Sequence, residues 1–441
     1  MAKRARNGKV DVVRDPVLGE EVHRRVFPSG LTVYVVRKRE FTKSYATIAT
    51  RYGSVDTALV APGRRKPLPD GIAHFLEHKV FETPQGDAFG LFAAKGASAN
   101  AYTSFATTRY LFGTSARYGE NLRTLLDMVF ELHITEPGVE KEKGIIGQEI
   151  AMYDDDPDWQ VYFGALQGLY ARHPVRIDIA GTAGTISRID AALLRDVHAA
   201  YYHPRLMVLS AVSPDPVSTT FAAVEGHVDG RRSPRAPGRR VAPPREGRKA
   251  RRRTVKKELP VSRPKVLLAS KDTPPARAGK TQLAHELASA VALDCLFGNS
   301  GSVSVKLYEQ GLVDDSFTYS YSAEAGCAFA MVGGETDDAA RLRRVLDREL
   351  AAAVKRGIDA DAFERVRNKV LGGYARAFNA PERIAHLLVT HHMRGTAVPD
   401  TREALFRLTR ASVNRRLRQM FSPEGRCYSL VLPRGGDGAA R

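Results

Sequence analysis

The sequence predicts an α+β fold arranged in two domains, on the basis of three observations. A chain of 441 residues is long enough for two domains that each bury a core. Runs with the two-residue period of strands are followed by runs with the helical period, and this succession occurs twice. A basic, proline-rich stretch separates the two successions.

The N-terminal half opens with strand patterns and continues with helical ones. Strands are expected at 24–28, 31–37, 45–52 and 109–114, the first two joined by a turn at Ser29-Gly30. A helix is expected around residue 75, between the third and fourth strands. Further helices are expected at 121–132, 139–152, 161–171 and 191–202.

The C-terminal half repeats this order. A strand is expected near 265–270, a helix near 282–297 and a hairpin at 316–333, before a series of helices from 337 to 420. Direct repetition of the sequence is too weak to show by itself that the two halves are copies of one unit.

The basic stretch sets the predicted domain boundaries at 1–229, 230–258 and 259–441. Between Arg231 and Lys257 it carries 13 Lys or Arg and one Glu, which is +12 of the net charge of +18. A segment so rich in charge and proline cannot form a core, so we interpret it as a solvated linker. It could touch RNA, a membrane surface or an acidic partner, but a nucleic-acid role is disfavoured because no aromatic residues are interleaved.

Composition indicates an ordinary globular protein of a reducing compartment. Hydrophobic residues make up 43% of the chain, and no apolar run approaches the length of a membrane span. Cys295, Cys327 and Cys427 form neither a C-x-x-C motif nor a disulfide framework. The N-terminus lacks the apolar region of a secretory signal, so we expect a bacterial cytoplasmic protein without membrane contact.

The most informative segment is His74-Phe75-Leu76-Glu77-His78. Residues four apart lie about one helical turn apart, so His74 and His78 project from the same face and can hold one divalent metal ion. Glu77 lies close enough to reach a metal-bound water. The pattern H-x-x-E-H is the inverted form of the metalloprotease motif H-E-x-x-H, and two imidazoles favour zinc. We interpret it as a zinc peptidase site.

The alternative is a surface helix with two chance histidines and a solvated glutamate. The context argues against it, because Pro69-Asp70-Gly71 supplies a turn and an N-cap. The apolar residues Ile72, Ala73, Phe75 and Leu76 then give the helix a buried side.

A catalytic zinc site needs a third protein ligand. Glu142 and Glu149 lie two turns apart on one face of a predicted helix that Pro137-Gly138 opens. One of them could bind zinc while the other orients a histidine ligand. The alternative is that both are surface charges among Lys141 and Lys143.

These residues resemble the pitrilysin (insulinase-like) family of zinc metallopeptidases, also called inverzincins. That family follows H-x-x-E-H with an E-x6-E pair some seventy residues later, and here Glu149 comes 71 residues after His78. Further matches are 71–74, 96–103 and 201–204. The chain is most similar to the bacterial YmfH-like branch, through 140–149 and 156–159.

The resemblance implies roles for individual residues. His74, His78 and Glu149 would bind Zn²⁺, Glu77 would be the general base that activates a zinc-bound water, and Glu142 would support the ligands. The family binds peptides as an added β-strand, and the matching sheet edge comprises Ala97, Ser98, Ala99, Asn100, Ala101 and Tyr102. The resemblance also implies two similar α+β domains that form half of a clamshell, the second without a zinc motif.

The chain departs from the family pattern at two positions of its C-terminal half, and this bears on whether it works with a partner subunit. Family members commonly carry an Arg and, seven residues later, a Tyr in the C-terminal half, where they bind substrate and stabilise the oxyanion. Here Leu307 and Asp314 occupy those positions, and the correctly spaced Arg367 and Tyr374 lie in a later helix. We therefore expect the zinc subunit of a heterodimer whose partner supplies the pair, closing over an unfolded peptide.

Two alternatives remain open from the sequence. Tyr319 or Tyr321 could replace the missing donors, which would favour a self-sufficient homodimer. The chain could also be a non-proteolytic, metal-stabilised scaffold or accessory protein, for example one associated with elongation factor P modification. The adjacent His391-His392 pair is interpreted as structural or surface histidines, since neighbouring residues do not share a helix face.

Overall fold

The computed structural model describes residues 9–15, 19–61, 64–229, 236–272 and 278–434. The predicted α+β class is confirmed, because both halves of the chain contain a sheet with helices packed on it. Among the described residues, no helix is both long enough and apolar enough to cross a membrane. The expectation about the N-terminal signal concerns residues 1–8, which lie outside the described ranges.

The strands, in chain order, are β1 (Asp11–Arg14), β2 (Glu21–Val26), β3 (Thr32–Arg37), β4 (Ser44–Thr50), β5 (Ala58–Ala61), β6 (Arg64–Pro67), β7 (Glu82–Thr83), β8 (Gly86–Asp87), β9 (Ala97–Thr103), β10 (Thr108–Thr114), β11 (Met207–Ser213), β12 (Thr254–Leu259), β13 (Lys265–Lys271), β14 (Thr318–Glu324), β15 (Cys327–Glu335) and β16 (Arg426–Pro433).

The α-helices are α1 (Ile72–Val80), α2 (Ala88–Ala93), α3 (Tyr118–Phe130), α4 (Glu136–Asp155), α5 (Pro157–Leu169), α6 (Ala183–Ile186), α7 (Ala191–Tyr201), α8 (Val217–Val224), α9 (Gly279–Phe297), α10 (Ser304–Glu309), α11 (Ala339–Arg356), α12 (Ala360–Arg376), α13 (Pro381–Arg394), α14 (Val398–Arg407) and α15 (Arg410–Met420).

The described residues form two compact units that do not follow the chain in simple succession. The first unit draws on 1–148, 178–241 and 374–399, and the second on 149–177, 242–373 and 400–441. The three consecutive segments expected from the sequence therefore differ from this division. In particular, the boundary at 148/149 runs through the continuous helix α4.

The first unit is built on a seven-stranded sheet with the order β1-β2-β3-β11-β4-β10-β9. Its centre is β11, in which every residue is buried, parallel to β3 and antiparallel to β4. Helix α13 covers β4 and β11 on one face. Helix α1 contacts β9 and β10, which places the H-x-x-E-H helix beside the end of the sheet.

The second unit has a five-stranded sheet with the order β12-β16-β13-β15-β14. Its first pair is parallel and the other three are antiparallel. The five strands β3-β11-β4-β10-β9 of the first unit follow the same chain order and the same directions. The two units thus share one topology, which the sequence was too diverged to show.

The shared topology identifies the counterpart of the H-x-x-E-H helix. In the first unit α1 lies between the second and third of the five shared strands, and in the second unit α9 holds the same place in the chain. Helix α9 carries His285-Glu286 but no H-x-x-E-H motif.

The basic segment is more ordered than a solvated linker. Residues 230–235, with Arg231, Arg232 and Arg235, lie outside the described ranges. In the first unit, Arg240 forms an ion pair with the buried Asp56, with 2.6 Å between Nη2 and Oδ2. In the second unit the Glu246 carboxylate accepts hydrogen bonds from backbone N–H groups of 171–173, and β12 begins at Thr254.

Candidate metal centre

Helix α1 presents the motif from a buried setting. Eight of its nine residues are buried, including His74 and Glu77, so the surface-helix alternative is wrong. The N-cap is Gly71, in the left-handed region with φ of 91°, and no side chain caps the helix. Asp70 therefore contributes to the turn but not to the cap. A β-carbon on Gly71 would lie 2.4 Å from the Ala180 carbonyl oxygen, so close packing also requires glycine.

The two histidines of the motif converge through the nitrogens that a metal would use. The Nε2 atoms of His74 and His78 are 3.2 Å apart, and the rings meet edge to face with 4.6 Å between centroids. Zinc–nitrogen bonds of about 2.0–2.1 Å at tetrahedral angles separate two nitrogens by roughly 3.3 Å. The pair therefore fits a tetrahedral ion without rearrangement of the helix.

Glu149 completes the group of three. Its carboxylate lies on α4, and one ligand atom from each of His74, His78 and Glu149 falls within 4.8 Å of the others. The Tyr153 hydroxyl, one turn further along α4, donates a hydrogen bond to Glu149 Oε1. Two imidazoles and a carboxylate are the donor set of a catalytic zinc site with a fourth position left open.

Glu142 contacts one of the two histidines and lies outside the group of three. Its Oε1 atom is 3.0 Å from Nδ1 of His78, and Nε2 of the same ring faces His74. Burial alone would raise the pKa of Glu142, but the hydrogen bond and charge interaction with His78, together with Lys79 and Lys141, lower it below its ordinary value. Glu142 thus faces Nδ1 of His78, whereas Glu149 lies in one group with both histidines.

Glu77 points toward the end of β9. Its Oε2 atom accepts a hydrogen bond of 2.6 Å from the Thr103 hydroxyl. Two buried tyrosines interact electrostatically with Glu77. The hydroxyls of Tyr110 and Tyr202 are 2.7 Å apart, and burial raises the pKa of both, so they are neutral. The Thr103 hydroxyl thus holds the Glu77 carboxylate at the end of β9.

The expected substrate strand is an edge strand. In the described sheet β9 has a neighbour only on its β10 side. The side chains of Ala97, Ala99 and Ala101 are partly buried, whereas Ser98, Asn100 and Tyr102 are exposed. The backbone of β9 can therefore pair with one more extended chain.

The residues considered as replacements for the Arg–Tyr pair have other roles. Tyr374 is buried in the core of the first unit, where its hydroxyl donates to the Val398 carbonyl. Tyr321 donates to Asp272 within the second unit, and Tyr319 packs against the hydrophobic core of that unit. Arg367 forms an ion pair with Glu364 on its own helix.

The adjacent histidines of α13 are structural, as expected. His391 contacts the Thr396 hydroxyl, with 2.8 Å between Nδ1 and Oγ1, and His392 Nδ1 lies 3.2 Å from the Tyr34 hydroxyl.

Three contributors to the centre were not identified from the sequence. Thr103 lies at the end of the predicted strand, Tyr153 comes four residues after Glu149, and Lys79 directly follows His78. The helical spacing of Tyr153 from Glu149 could have indicated it. Thr103 and Lys79 gave no such signal, because their contacts depend on packing between elements distant in sequence.

The α+β unit occurs twice, and its first copy carries an H-x-x-E-H helix and a distal glutamate. This combination is typical of inverzincins, the class of proteins that carries the inverted form of the H-E-x-x-H motif. Comparison with known families agrees: residues 61–183 match the family described as Insulinase (Peptidase family M16), and residues 188–370 match the Peptidase M16 inactive domain. The chain belongs to the insulinase family, peptidase family M16. The resemblance drawn from the sequence is thereby confirmed.

One relative matches nearly the whole chain. It is named Uncharacterized zinc protease YmfH, from Bacillus subtilis (strain 168), and is 38% identical over 95% of this chain and 98% of its own length. The crystal structure of an M16-like peptidase from Alicyclobacillus acidocaldarius shares 34% identity and a TM-score of 0.91, over 96% of this chain and 100% of that one.

Pitrilysin shows the same fold at greater distance. Its crystal structure has a TM-score of 0.72 and 18% identity, and the alignment covers 97% of this chain but 47% of pitrilysin. The chain thus corresponds in length to about half of pitrilysin.

Proposed function

We propose that the chain is a zinc-dependent endopeptidase that cleaves short or unfolded peptides. The observation that carries this proposal is the convergence of His74, His78 and Glu149 beside the buried carboxylate of Glu77. The relatives named as zinc proteases support the same metal. Three ligands with a neighbouring general base are what hydrolysis requires, whereas a purely structural metal needs no base.

Each residue then has a defined task. His74, His78 and Glu149 would hold zinc, which when bound makes hydroxide available at neutral pH and polarises a carbonyl group. Glu77 accepts the proton of the attacking water and returns it to the leaving amine. Thr103 holds Glu77 in place, and Glu142 keeps His78 oriented.

The substrate would be bound as a strand added to β9. Main-chain hydrogen bonds from residues 97–102 give affinity without requiring one sequence, and the exposed side chains Ser98, Asn100 and Tyr102 are available for further contacts. Only an extended segment can pair in this way, which favours short or unfolded peptides over folded proteins.

We further propose that a second subunit supplies the missing Arg–Tyr pair. Leu307 is fully buried in the core of the second unit, and Asp314 forms an ion pair with Arg263, so neither position offers an oxyanion donor. In the heterodimer that we propose, 1–229 would hold the zinc-binding domain and 259–441 would be non-catalytic. Three buried free cysteines support a cytoplasmic location.

The test compares cleavage of a set of quenched peptides by the zinc-loaded chain, by Glu77→Gln and by Glu140→Gln as the matched control, each mixed with an M16 subunit from the same genome that carries the Arg–Tyr pair. Glu140 is an exposed residue of α4 that pairs with Lys143, outside the centre. We expect Glu77→Gln to retain zinc and lose at least about 100-fold in rate, because a general base is removed. Glu140→Gln should behave as the wild type.

Other outcomes separate the alternatives. Equal activity of wild type and Glu77→Gln would refute the assigned base. The zinc-loaded chain is also assayed without the second subunit. Cleavage only in the mixture supports the heterodimer, whereas cleavage by the chain alone refutes it in favour of a self-sufficient enzyme. No cleavage in either case supports the scaffold alternative.

A further inference from the structure

Lys79 is a fully buried lysine next to the metal centre. Its side chain has 0% exposure, although it directly follows His78 on α1. Removing an ammonium group from water costs several kcal/mol unless it is paired and hydrogen-bonded, so buried lysines are rare. The mechanism proposed above assigns this residue no part.

The contacts of Lys79 connect it, through Glu142, to the proposed metal ligand His78. Its Nζ atom donates to the Gly138 carbonyl oxygen at 3.0 Å, forms an ion pair with Glu82 and lies 3.7 Å from Oε2 of Glu142. The other oxygen of Glu142 is the one that meets His78 at 3.0 Å. One carboxylate therefore lies between a buried cation and the Nδ1 atom of a histidine.

We propose that Lys79 is a positioning residue for the metal centre, acting through Glu142. The ammonium, 3.7 Å from Oε2 of Glu142, holds that carboxylate in one orientation, so that Oε1 meets Nδ1 of His78 and Nε2 of the same ring faces His74. This inference rests on the metal-binding part of the proposed function and does not require peptidase activity.

The contact with Gly138 fixes the position of the Lys79 ammonium. Gly138 lies in the first turn of α4, the helix that also carries Glu142 and Glu149. The Lys79 ammonium therefore ties the end of α1 to the start of α4, the two helices that supply all three ligands. This contact holds the ammonium where it faces Glu142, so its effect on the metal also passes through that carboxylate.

The experiment measures zinc affinity by competition with a chromophoric chelator, with the absorption spectrum of bound Co²⁺ as a second readout. Lys79→Met removes the charge and keeps a side chain of similar length. We expect it to bind zinc about 10- to 100-fold more weakly, the loss typical when a residue behind a metal ligand is changed. Lys143→Met, which removes the lysine of the exposed pair with Glu140 on α4, should bind as the wild type.

A double-mutant cycle distinguishes positioning from general support of the fold. If Lys79 acts through Glu142, the double variant Lys79→Met/Glu142→Gln should bind zinc no more weakly than Glu142→Gln alone. Additive losses would overturn the proposal, because they would mean that Lys79 affects the metal by another route. Unchanged zinc affinity in Lys79→Met would overturn it as well, and would leave the proposed function intact.

A further variant keeps the proposal testable if Lys79→Met does not fold. Glu82→Gln removes the other carboxylate partner of Lys79 from a partly exposed position. Since Lys79 still faces Glu142 in that variant, zinc affinity should stay within about threefold of wild type, and a larger loss would refute the assigned route. If the wild-type chain binds no zinc, the proposed function fails, and this inference fails with it.

Discussion

At the scale of single residues, the candidate metal centre includes more than the side chains proposed to bind metal or accept a proton. It also depends on the residues that hydrogen-bond to those side chains. Glu77 is fixed by the Thr103 hydroxyl, and Glu149 accepts a hydrogen bond from Tyr153. Tyr153 is in turn stacked on Trp159 with 4.2 Å between ring centroids. Such outer contacts fix the orientation of the side chains before substrate arrives.

Replacement of Thr103 by valine should lower kcat without loss of zinc. The variant keeps the shape of the side chain but removes the 2.6 Å hydrogen bond to Glu77, so the base loses its fixed orientation. A hydrogen bond to a charged group contributes about 1.5–3 kcal/mol, so we expect kcat to fall by roughly tenfold or more.

Thr103→Ser is the matched control for that experiment, since it retains the hydroxyl and should restore most of the rate. Steady-state kinetics and zinc content are measured together. If Thr103→Val were as active as the wild type, Thr103 would have no part in orienting the base.

At the scale of elements, the site depends on how α1 is connected and where it is packed. The turn before α1 contains Gly71, which has φ of 91° and packs against the Ala180 carbonyl group. Gly181 has φ of 74°, and a β-carbon on it would lie 2.4 Å from the Asp70 carbonyl oxygen. The two glycines thus allow two turns to pack directly on each other. Helix α1 begins directly after this contact and packs against β9 and β10.

Gly71→Ala should destabilise the first unit and weaken zinc binding. The left-handed conformation costs about 1–2 kcal/mol for alanine, and the contact with Ala180 adds an overpacking cost of about 1–3 kcal/mol. Chemical denaturation measures the free energy of unfolding, and chelator competition measures zinc affinity.

Gly86→Ala is the matched control, because Gly86 also has positive φ (111°) but a β-carbon there meets no atom within 4 Å. It should carry only the conformational cost. Equal destabilisation by the two substitutions would show that the packing of the turns contributes nothing.

At the scale of the whole molecule, one topology appears twice, and only one copy carries the metal motif. The five shared strands have the same order and directions in both units, yet α1 has H-x-x-E-H and α9 does not. Two partly buried histidines of the first unit, His198 and His392, also affect the stability of the whole chain.

Stability should fall as the pH is lowered from about 6.5 toward 4. Burial lowers the pKa of His198 to about 4, and burial together with Arg51 and Arg24 lowers that of His392 to about 4. Unfolded histidine has its ordinary pKa near 6.5, so in this window the unfolded chain takes up protons that the folded chain does not. At pH 5, His198 and His392 should each lower the free energy of unfolding by roughly 2 kcal/mol.

Denaturation of wild type and His198→Gln at pH 7 and pH 5 checks this expectation. Glutamine can still donate a hydrogen bond to the Val129 carbonyl, which His198 contacts at 2.9 Å. The variant should lose less stability between the two pH values than the wild type does. The same loss in both proteins would contradict the assigned role of His198.

The strands and helices predicted most accurately from the sequence are those whose hydrophobic residues recur with a clear period. The predicted strands at 31–37 and 109–114 and the helix at 191–202 agree with β3, β10 and α7 to within a residue or so at each end. Strand β11 was not predicted, because a central strand buried on both faces lacks alternation. Strand β12 was hidden in the basic segment, where composition indicated a linker.

The sequence by itself determined the family, the α+β class and the spacing of His74, Glu77, His78 and the E-x6-E pair. These features are local, since helical periodicity fixes which residues three, four or seven apart share a face. Only the tertiary structure showed that Glu142 meets His78, that Thr103 holds Glu77 and that Lys79 is buried beside them. Those contacts join elements 26 to 64 residues apart. Their formation depends on how helices and strands pack, which no short-range pattern encodes.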